Sequence, residues 1–277
     1  MGSQRPLRGR ADGAVPPLAD PPGPEGRTYT GTVRVRLSDV GPTGRARLDA
    51  VARYLQDVAG DDAREAGLSA HRWVVRRSYL ELRRLPRYEE TLELATWCSG
   101  SGAAWAERRT SIRGEAGASV EAAALWVNLD PATMRPAPLG ELFGSVYGEA
   151  AAKREVRARL LHERAPQLAG HGEGSAGGAQ QWRWALRFAD LDVLGHVNNA
   201  VAWSLLDELA ERVAPRLAVS SAEVEYREPI AGGGAVDVRF ALGDGTLRMW
   251  VAPEAGAVAV TALARLAPSD RAGPEGR

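Results

Sequence analysis

The chain repeats itself, and that limits what it can fold into more than any single motif does. A shift of 151 residues lays Val33, Val35 and Leu37 on Trp184, Leu186 and Phe188, Asp39 on Asp190, and Gly44 on Gly195. The same shift carries "LDAVARYLQDVA" (48–59) onto "NAVAWSLLDELA" (199–210). In both copies the alternating apolar residues predict a half-buried strand. Behind it, Val51, Tyr54, Leu55 and Val58 fall on Ala202, Leu205, Leu206 and Leu209. Both sets keep the i, i+3, i+4, i+7 spacing of an amphipathic helix. Past the helix a shift of 144 lays "LELRRLPRYEETLEL" (80–94) over "VEYREPIAGGGAVDV" (224–238), a loop of different length absorbing the change. Agreement in phase across strand, helix and following strand is the mark of duplication.

Each copy goes on in alternating segments: "LELATWC" and "VEAAALWVNL" in the first, "AVDVRFAL", "TLRMWVA" and "AVAVTALARL" in the second. A run of strands after one helix predicts an α+β unit, an antiparallel sheet with the helix on one face. Two such units in one chain make an internal pseudo-dimer that supplies its own two-fold interface. The expected organisation is a leader (1–27), a first unit (28–148), a linker (149–181), a second unit (182–267) and a tail (268–277). The linker should hold a short helix in "EAAAKREVRARLLHERAPQL" and then a flexible Gly-rich stretch, "AGHGEGSAGGAQQ". Leader and tail, rich in Pro, Gly and charge, read as disordered. The leader has no apolar h-region and so does not read as a signal peptide.

Composition narrows the function. Basic and acidic side chains number 35 each, and a net charge of zero argues against bulk electrostatic capture of nucleic acid. Cys98 is the only cysteine, which rules out an intrachain disulfide or a cysteine-based zinc site and fits a reduced, cytoplasmic setting. No apolar run approaches the roughly 20 residues that span a bilayer. Cys98 sits on an alternating strand, the usual place of a small buried side chain rather than a nucleophile. His71, His162 and His171 lack any ligand spacing and are expected at the surface. The tryptophans of "WRWALRF" are expected in the core or a tunnel wall.

The densest chemistry lies in "DLDVLGHVNN" (190–199), just ahead of the second helix, which should begin at 196–199. A helix start has unpaired backbone N–H groups and a partial positive charge, and Asp, Asn and Gly are its natural caps. Capping alone is one reading. The other is an oxyanion hole, where each donor is worth about 2.7–4 kcal/mol to a developing negative charge. Asp192, four residues before His196, supplies a carboxylate to attack a carbonyl or to activate a water for it. His196 is placed to bond the carboxylate, the water or the substrate oxygen. Capping and catalysis are compatible. In the first copy Gly41 stands opposite Asp192 and Arg45 opposite His196, so the reactive pair is absent and one active site per chain follows.

"DLDVLGHVNN", the tryptophan-rich strand before it and the duplication resemble the acyl-acyl carrier protein thioesterases, which carry two hotdog domains in one chain. "LELATWCSGSGAAWAERRTSI" and "ALWVNLDPATMRP" resemble that family's N-terminal domain, and the likeness runs from about Val33 to Leu266. It implies two antiparallel sheets, each wrapped around a long central helix. It also implies hydrolysis of the thioester between a fatty acyl chain and the phosphopantetheine of acyl carrier protein, with no metal and no cofactor. The acyl chain would lie in an apolar tunnel walled by the non-catalytic first unit. Asp192 and His196 match the family's catalytic aspartate and histidine. The N–H groups of Gly195 and Val197 are the expected oxyanion donors, and Asn198 and Asn199 the expected substrate contacts. Arginines in "HRWVVRRSYLELRRLPR" and "KREVRARLLHER" offer patches for an acidic carrier protein, the alternative being solvated faces.

Three positions depart from the family. Leu194 stands where an asparagine is usual, and Pro229 and Ile230 stand where a Glu-Cys pair is usual. Glu228 precedes them on the opposite face of the strand and would join the site only through a bulge beside Pro229. These departures leave open hydrolysis of coenzyme A or specialised biosynthetic thioesters, and also a degenerate pair that binds acyl groups or the carrier without cleavage. Association of two chains into a homodimer is left open as well.

Overall fold

The computed structural model describes residues 20–23, 26–68, 73–152, 154–163, 180–254 and 256–268. Most of the expected leader, His71, the Gly-rich stretch with His171, and all of the tail but Pro268 lie outside the described residues. The first half is built from β1 (Thr28–Arg34), α1 (Leu48–Glu65), β2 (Trp73–Arg84), β3 (Thr91–Ser101), β4 (Trp105–Gly114) and β5 (Ser119–Asn128). After α2 (Glu141–Ala152) the second half follows with β6 (Gln180–Ala185), α3 (Asn199–Val213), β7 (Leu217–Tyr226), β8 (Ala235–Gly243), β9 (Thr246–Pro253) and β10 (Val260–Pro268).

All ten strands join one antiparallel sheet in the order β1-β3-β4-β5-β2-β7-β10-β9-β8-β6. Read inward from either end, the order is the same, so each half presents the same five strands to its own helix. At the seam β2 pairs with β7, Tyr79 opposite Glu223. Those two residues are repeat mates under the shift of 144, so the pseudo-two-fold axis passes between them. The loops obey the same symmetry. Ala46 donates to Pro86 O as Val197 donates to Ile230 O, and Tyr88 donates to Gly44 O as Gly232 donates to Gly195 O. Gly44 and Gly195 both take positive φ, +68° and +74°, where a Cβ would be strained.

The core is shared. Val51, Tyr54 and Val58 of α1 and Trp203, Leu206 and Leu209 of α3 join one buried cluster with the inner face of the sheet. Each such side chain withdrawn from water contributes about 1.5–3 kcal/mol. Leu37 and Phe188, the last apolar residues of the two strand patterns, are not part of it. They lie in short 3-10 turns and are 73% and 94% exposed. Asp39 and Asp190 cause the turn, each accepting the backbone N–H three residues earlier, at 2.9 and 2.8 Å. Burial works against the charge of Asp39, but bonds from Tyr54, the Arg36 N–H and Arg53 outweigh it and hold the carboxyl below its ordinary range.

The helix expected between 149 and 168 is displaced. α2 ends at Ala152, and 154–163 crosses the face of the sheet opposite the helices as a non-helical strap. Bonds to the sheet replace helical ones. Val156 N donates to Ser101 O at 3.0 Å, Trp105 Nε1 donates to Val156 O at 2.7 Å, and Trp250 Nε1 donates to Glu163 O at 3.2 Å. His162 is accordingly not a surface residue. Its side chain is 10% exposed and reaches Glu223 at 3.1 Å and Thr261 Oγ1 at 3.0 Å. Among the described residues no helix is long and apolar enough to cross a membrane.

Candidate active site

The loop before α3 is a closed frame. Asp192 N donates to His196 O at 2.8 Å, Gly195 N to Asp192 O at 3.0 Å, and Asn198 N to Asp190 O at 2.8 Å. Asp192 Oδ1 then accepts from Leu194 N at 2.9 Å and His196 N at 3.2 Å, an Asx-type turn. Its other oxygen makes no hydrogen bond among the described residues. Asn198 is the helix cap, its Oδ1 accepting from Ala200 N at 2.9 Å. Asp192 and His196 are half-buried, while Val193 and Leu194 between them are 96% and 66% exposed.

The two expected oxyanion donors are engaged elsewhere. Gly195 N is bonded to Asp192 O, and Val197 N to Ile230 O at 2.8 Å, so neither is available to a substrate. The repeat explains this, since these N–H groups close the loop frame and their mates do the same in the first half. The donor left over is one step further on. Asn199 N–H, in the first turn of α3, makes no hydrogen bond among the described residues.

Asn199 also lines a chamber between the two units, with Trp203, Tyr226, Ala52, Leu55 and Gln56. Tyr226 fixes the start of α3 there: its hydroxyl donates to Asn199 O at 3.1 Å and accepts from Trp203 Nε1 at 3.1 Å. Burial lifts the Tyr226 pKa to about 12, against the opposing pull of the Ser78 and Trp203 bonds, so it stays a phenol. The chamber shares Gln56, Arg108 and Trp126 with the wall of a larger cavity inside the first unit. Neither Asp192 nor His196 is in the chamber wall; Asn199 is the point where their loop meets it.

The corresponding start in the first half is closed. Leu48 N, the mate of Asn199 N under the shift of 151, donates to Asp207 Oδ2 of α3 at 3.2 Å. The mate of Asp207 is Gln56. At the α3 start, therefore, an amide stands where the other start has a carboxylate. Sequence reading missed both residues, although the repeat already aligns them.

Glu228 is not brought to the site. β7 ends at Tyr226, its only register shift against β10 lies at Arg265/Leu266, and Glu228 is exposed in the loop that follows. Pro229 is also exposed, whereas Ile230 is buried and contributes its carbonyl to the loop frame. Cys98 lies in the wall of the larger cavity, and burial pushes its thiol up, which disfavours a nucleophilic thiolate. His162, Glu223 and Glu225 bring donor atoms within 4.8 Å of one another. Their carboxylates are answered by Arg77 at 3.6 Å, by Arg227 at 3.1 Å and by the Leu161 and His162 N–H groups, a clasp for the strap. Several arginines expected on a docking face are spent in the same way. Arg76 donates to the Tyr226 and Arg227 carbonyls, Arg77 to Arg159 O, and Arg154 pairs with Glu107.

Two fused hotdog units, with an acid–histidine loop at only one of the two helix starts, define a double-hotdog thioester hydrolase. Residues 26–145 match the acyl-ACP thioesterase N-terminal domain and residues 176–252 the acyl-ACP thioesterase C-terminal domain. The chain belongs to the acyl-ACP thioesterase family. It is 26% identical over 227 residues to an uncharacterized protein of Mycobacterium tuberculosis (strain ATCC 25618 / H37Rv), covering 81% of this chain and 86% of that one. It is 26% identical over 241 residues to the chloroplastic oleoyl-acyl carrier protein thioesterase of Coriandrum sativum, covering 77% of this chain and 62% of the plant protein. The 12:0-ACP thioesterase from Umbellularia californica superposes with a TM-score of 0.66 at 22% identity, over 87% of this chain and 98% of that one.

Proposed function

We propose that the chain releases fatty acids from acyl carrier protein in the cytoplasm, through one active site at the start of α3. The units 28–148 and 182–267 divide the work, the first holding the acyl chain and the second cleaving the thioester. The unbonded oxygen of Asp192 takes a proton from water as that water attacks the thioester carbonyl. The Asn199 N–H receives the oxyanion, and the positive end of α3 supports it. His196 orients the water and passes the proton taken by Asp192 on to the departing phosphopantetheine thiolate, so acid and thiol are the only products and both side chains return to their starting state. No cofactor is needed for this step. Asn198 holds the helix start as its cap.

The observation that carries this reading is the Asn199 N–H, unpaired among the described residues, on a residue that lines the chamber and at the same helix start as Asp192 and His196. The test is a panel of acyl-carrier and acyl-coenzyme A thioesters over a range of chain lengths, with wild type and Asp192→Asn. An asparagine keeps the Oδ1 that accepts from Leu194 and His196, so the variant should fold as wild type does. Expected is carrier-thioester hydrolysis by wild type and a loss of at least a thousandfold in the variant. Equal turnover by both removes Asp192 from the mechanism, and faster release from coenzyme A than from the carrier replaces the carrier as substrate.

A further inference from the structure

Behind Asn199 the first unit is hollow in two steps. The outer chamber, about 30 Å³, lies against an inner cavity of about 230 Å³ between α1, α2 and the sheet. The inner cavity is walled largely by apolar groups such as Ala59, Leu68, Trp73 and Phe143. Gln56, Arg108 and Trp126 line both spaces and stand at the boundary between them, the neck that an acyl chain reaching the inner cavity would pass.

A tunnel built for a plain alkyl chain would be apolar at its narrowest point. This neck instead carries three N–H-bearing side chains, one of them with no partner. The indole N–H of Trp126 is buried and has no hydrogen-bond partner. The Gln56 amide reaches only Ala52 O of its own helix, at 3.4 Å. Arg108 spends Nη1 on Asp62 at 2.6 Å and Nη2 on the Tyr147 hydroxyl at 3.3 Å, and its Nε is unbonded among the described residues. Deep in the fold, 14% of the Arg108 side chain is still accessible. The polar side chains of the outer chamber differ: Thr110 is bonded to Thr96 at 3.0 Å, and Tyr226 to Asn199 and Trp203. Buried donors left unmade are destabilising, and methylene groups at the neck would leave the Trp126 N–H without any partner and the spare donors of Gln56 and Arg108 unused.

We propose that the cavity takes an acyl chain bearing an oxo or hydroxyl oxygen partway along it, bonded at the neck by Gln56, Arg108 and Trp126. The rest of the chain fills the apolar cavity beyond. Either oxygen accepts from the donors, and a hydroxyl can also donate to the Gln56 carbonyl. The proposal rests on the thioesterase reading only for what stands at the near end of the chain.

The experiment separates the two. Wild type is assayed on acyl-carrier thioesters of one chain length, unsubstituted or with an oxo or hydroxyl group walked along the chain. In parallel, Asp192→Asn is titrated with the corresponding free acids by calorimetry. Expected is one position at which the oxygenated thioester exceeds the unsubstituted one at least tenfold in kcat/KM, with the same preference in the binding series. Trp126→Phe keeps the ring and removes the donor, and should cut that ratio at least fivefold. Oxygenated acids that bind best while no thioester is cleaved leave this inference standing and overturn the hydrolase reading. Hydrolysis with the unsubstituted chain preferred or equal at every position overturns this inference alone, as does a ratio unmoved in Trp126→Phe.

Discussion

The starts of α1 and α3 share a backbone and differ in what fills it. Each loop turns on an aspartate that accepts an N–H three residues back, passes through a glycine at positive φ, and is tied to the loop after the next strand by matching bonds. In the first half Gly41 and Arg45 occupy the reactive positions, and Asp207 reaches across from α3 to take the Leu48 N–H. A broad groove of about 1300 Å³ runs past both starts, lined by Arg45, Arg47 and Asp49 of the first and by Asp190, Leu191 and Asn198 of the second, with Asp207 also in its wall. In the second half Asp192 and His196 occupy those positions, and Gln56 stands where a plugging carboxylate would be. The first start thus differs from the second by more than two side chains: its helix end is also capped by its partner. The backbone frame is common to both starts, so on the proposed mechanism the side chains at three paired positions decide which start is chemical.

The sharpest way to break this contrast is to make the second start resemble the first. Gln56→Asp places a carboxylate where Asp207 stands relative to Leu48, and it should capture the Asn199 N–H. Hydrolysis should fall by at least a hundredfold, the size of one oxyanion donor. The thermal midpoint should not fall, because a carboxylate at a helix start is favourable. Steady-state kinetics beside a melting curve checks both halves of the expectation. Undiminished turnover would remove Asn199 from the oxyanion role.

A smaller effect is expected at Tyr226, which belongs to the second start alone; its mate in the first half is Leu82, a buried apolar residue. Tyr226→Phe removes the donor to Asn199 O and the acceptor of Trp203 Nε1. About 1 kcal/mol of stability should go with each lost bond, more if the indole N–H stays unsatisfied. The kcat should drop roughly tenfold with little change in KM, since the start of α3 is loosened while the acyl cavity is kept. A rise in KM at constant kcat would make Tyr226 a wall of the pocket instead.

How much of this the sequence carried depends on whether a feature is local or relational. The repeat fixed strand phase and helix starts, because apolar spacing is read along one segment at a time. Asp192 and His196 were visible because four residues of one loop hold them. The fate of the Val197 N–H was not, since Ile230 O comes from a loop more than thirty residues away. Residues 154–163 read locally as helix, yet bonds to Ser101, Trp105 and Trp250 on the far face of the sheet override that propensity. Gln56 and Asp207 could be aligned on paper, but their meaning needed α1 and α3 side by side. The neck residues Arg108 and Trp126 lie on neighbouring strands, and nothing in either strand's alternation separates a cavity wall from a packed face.

The smallest effect tests the plugged start on its own. Asp207→Ala uncovers Leu48 N–H and removes a carboxylate from the positive end of α1, a loss of about 1 kcal/mol for a helix cap. Hydrolysis should be unchanged, because the groove at that start has neither an acid at position 41 nor a histidine at position 45. Adding Gly41→Asp and Arg45→His to that background sharpens the comparison. Gly41 has room for a side chain, its nearest neighbour to a built Cβ being Arg47 Cγ at 3.9 Å. The triple variant then has an open N–H, an acid and a histidine at both starts. If those three positions alone separate a chemical start from a structural one, hydrolysis should persist in the triple variant after Asp192→Asn is introduced. If activity vanishes as completely as in the single Asp192→Asn variant, a feature outside those three positions, such as the acyl cavity of the first unit, is the further requirement.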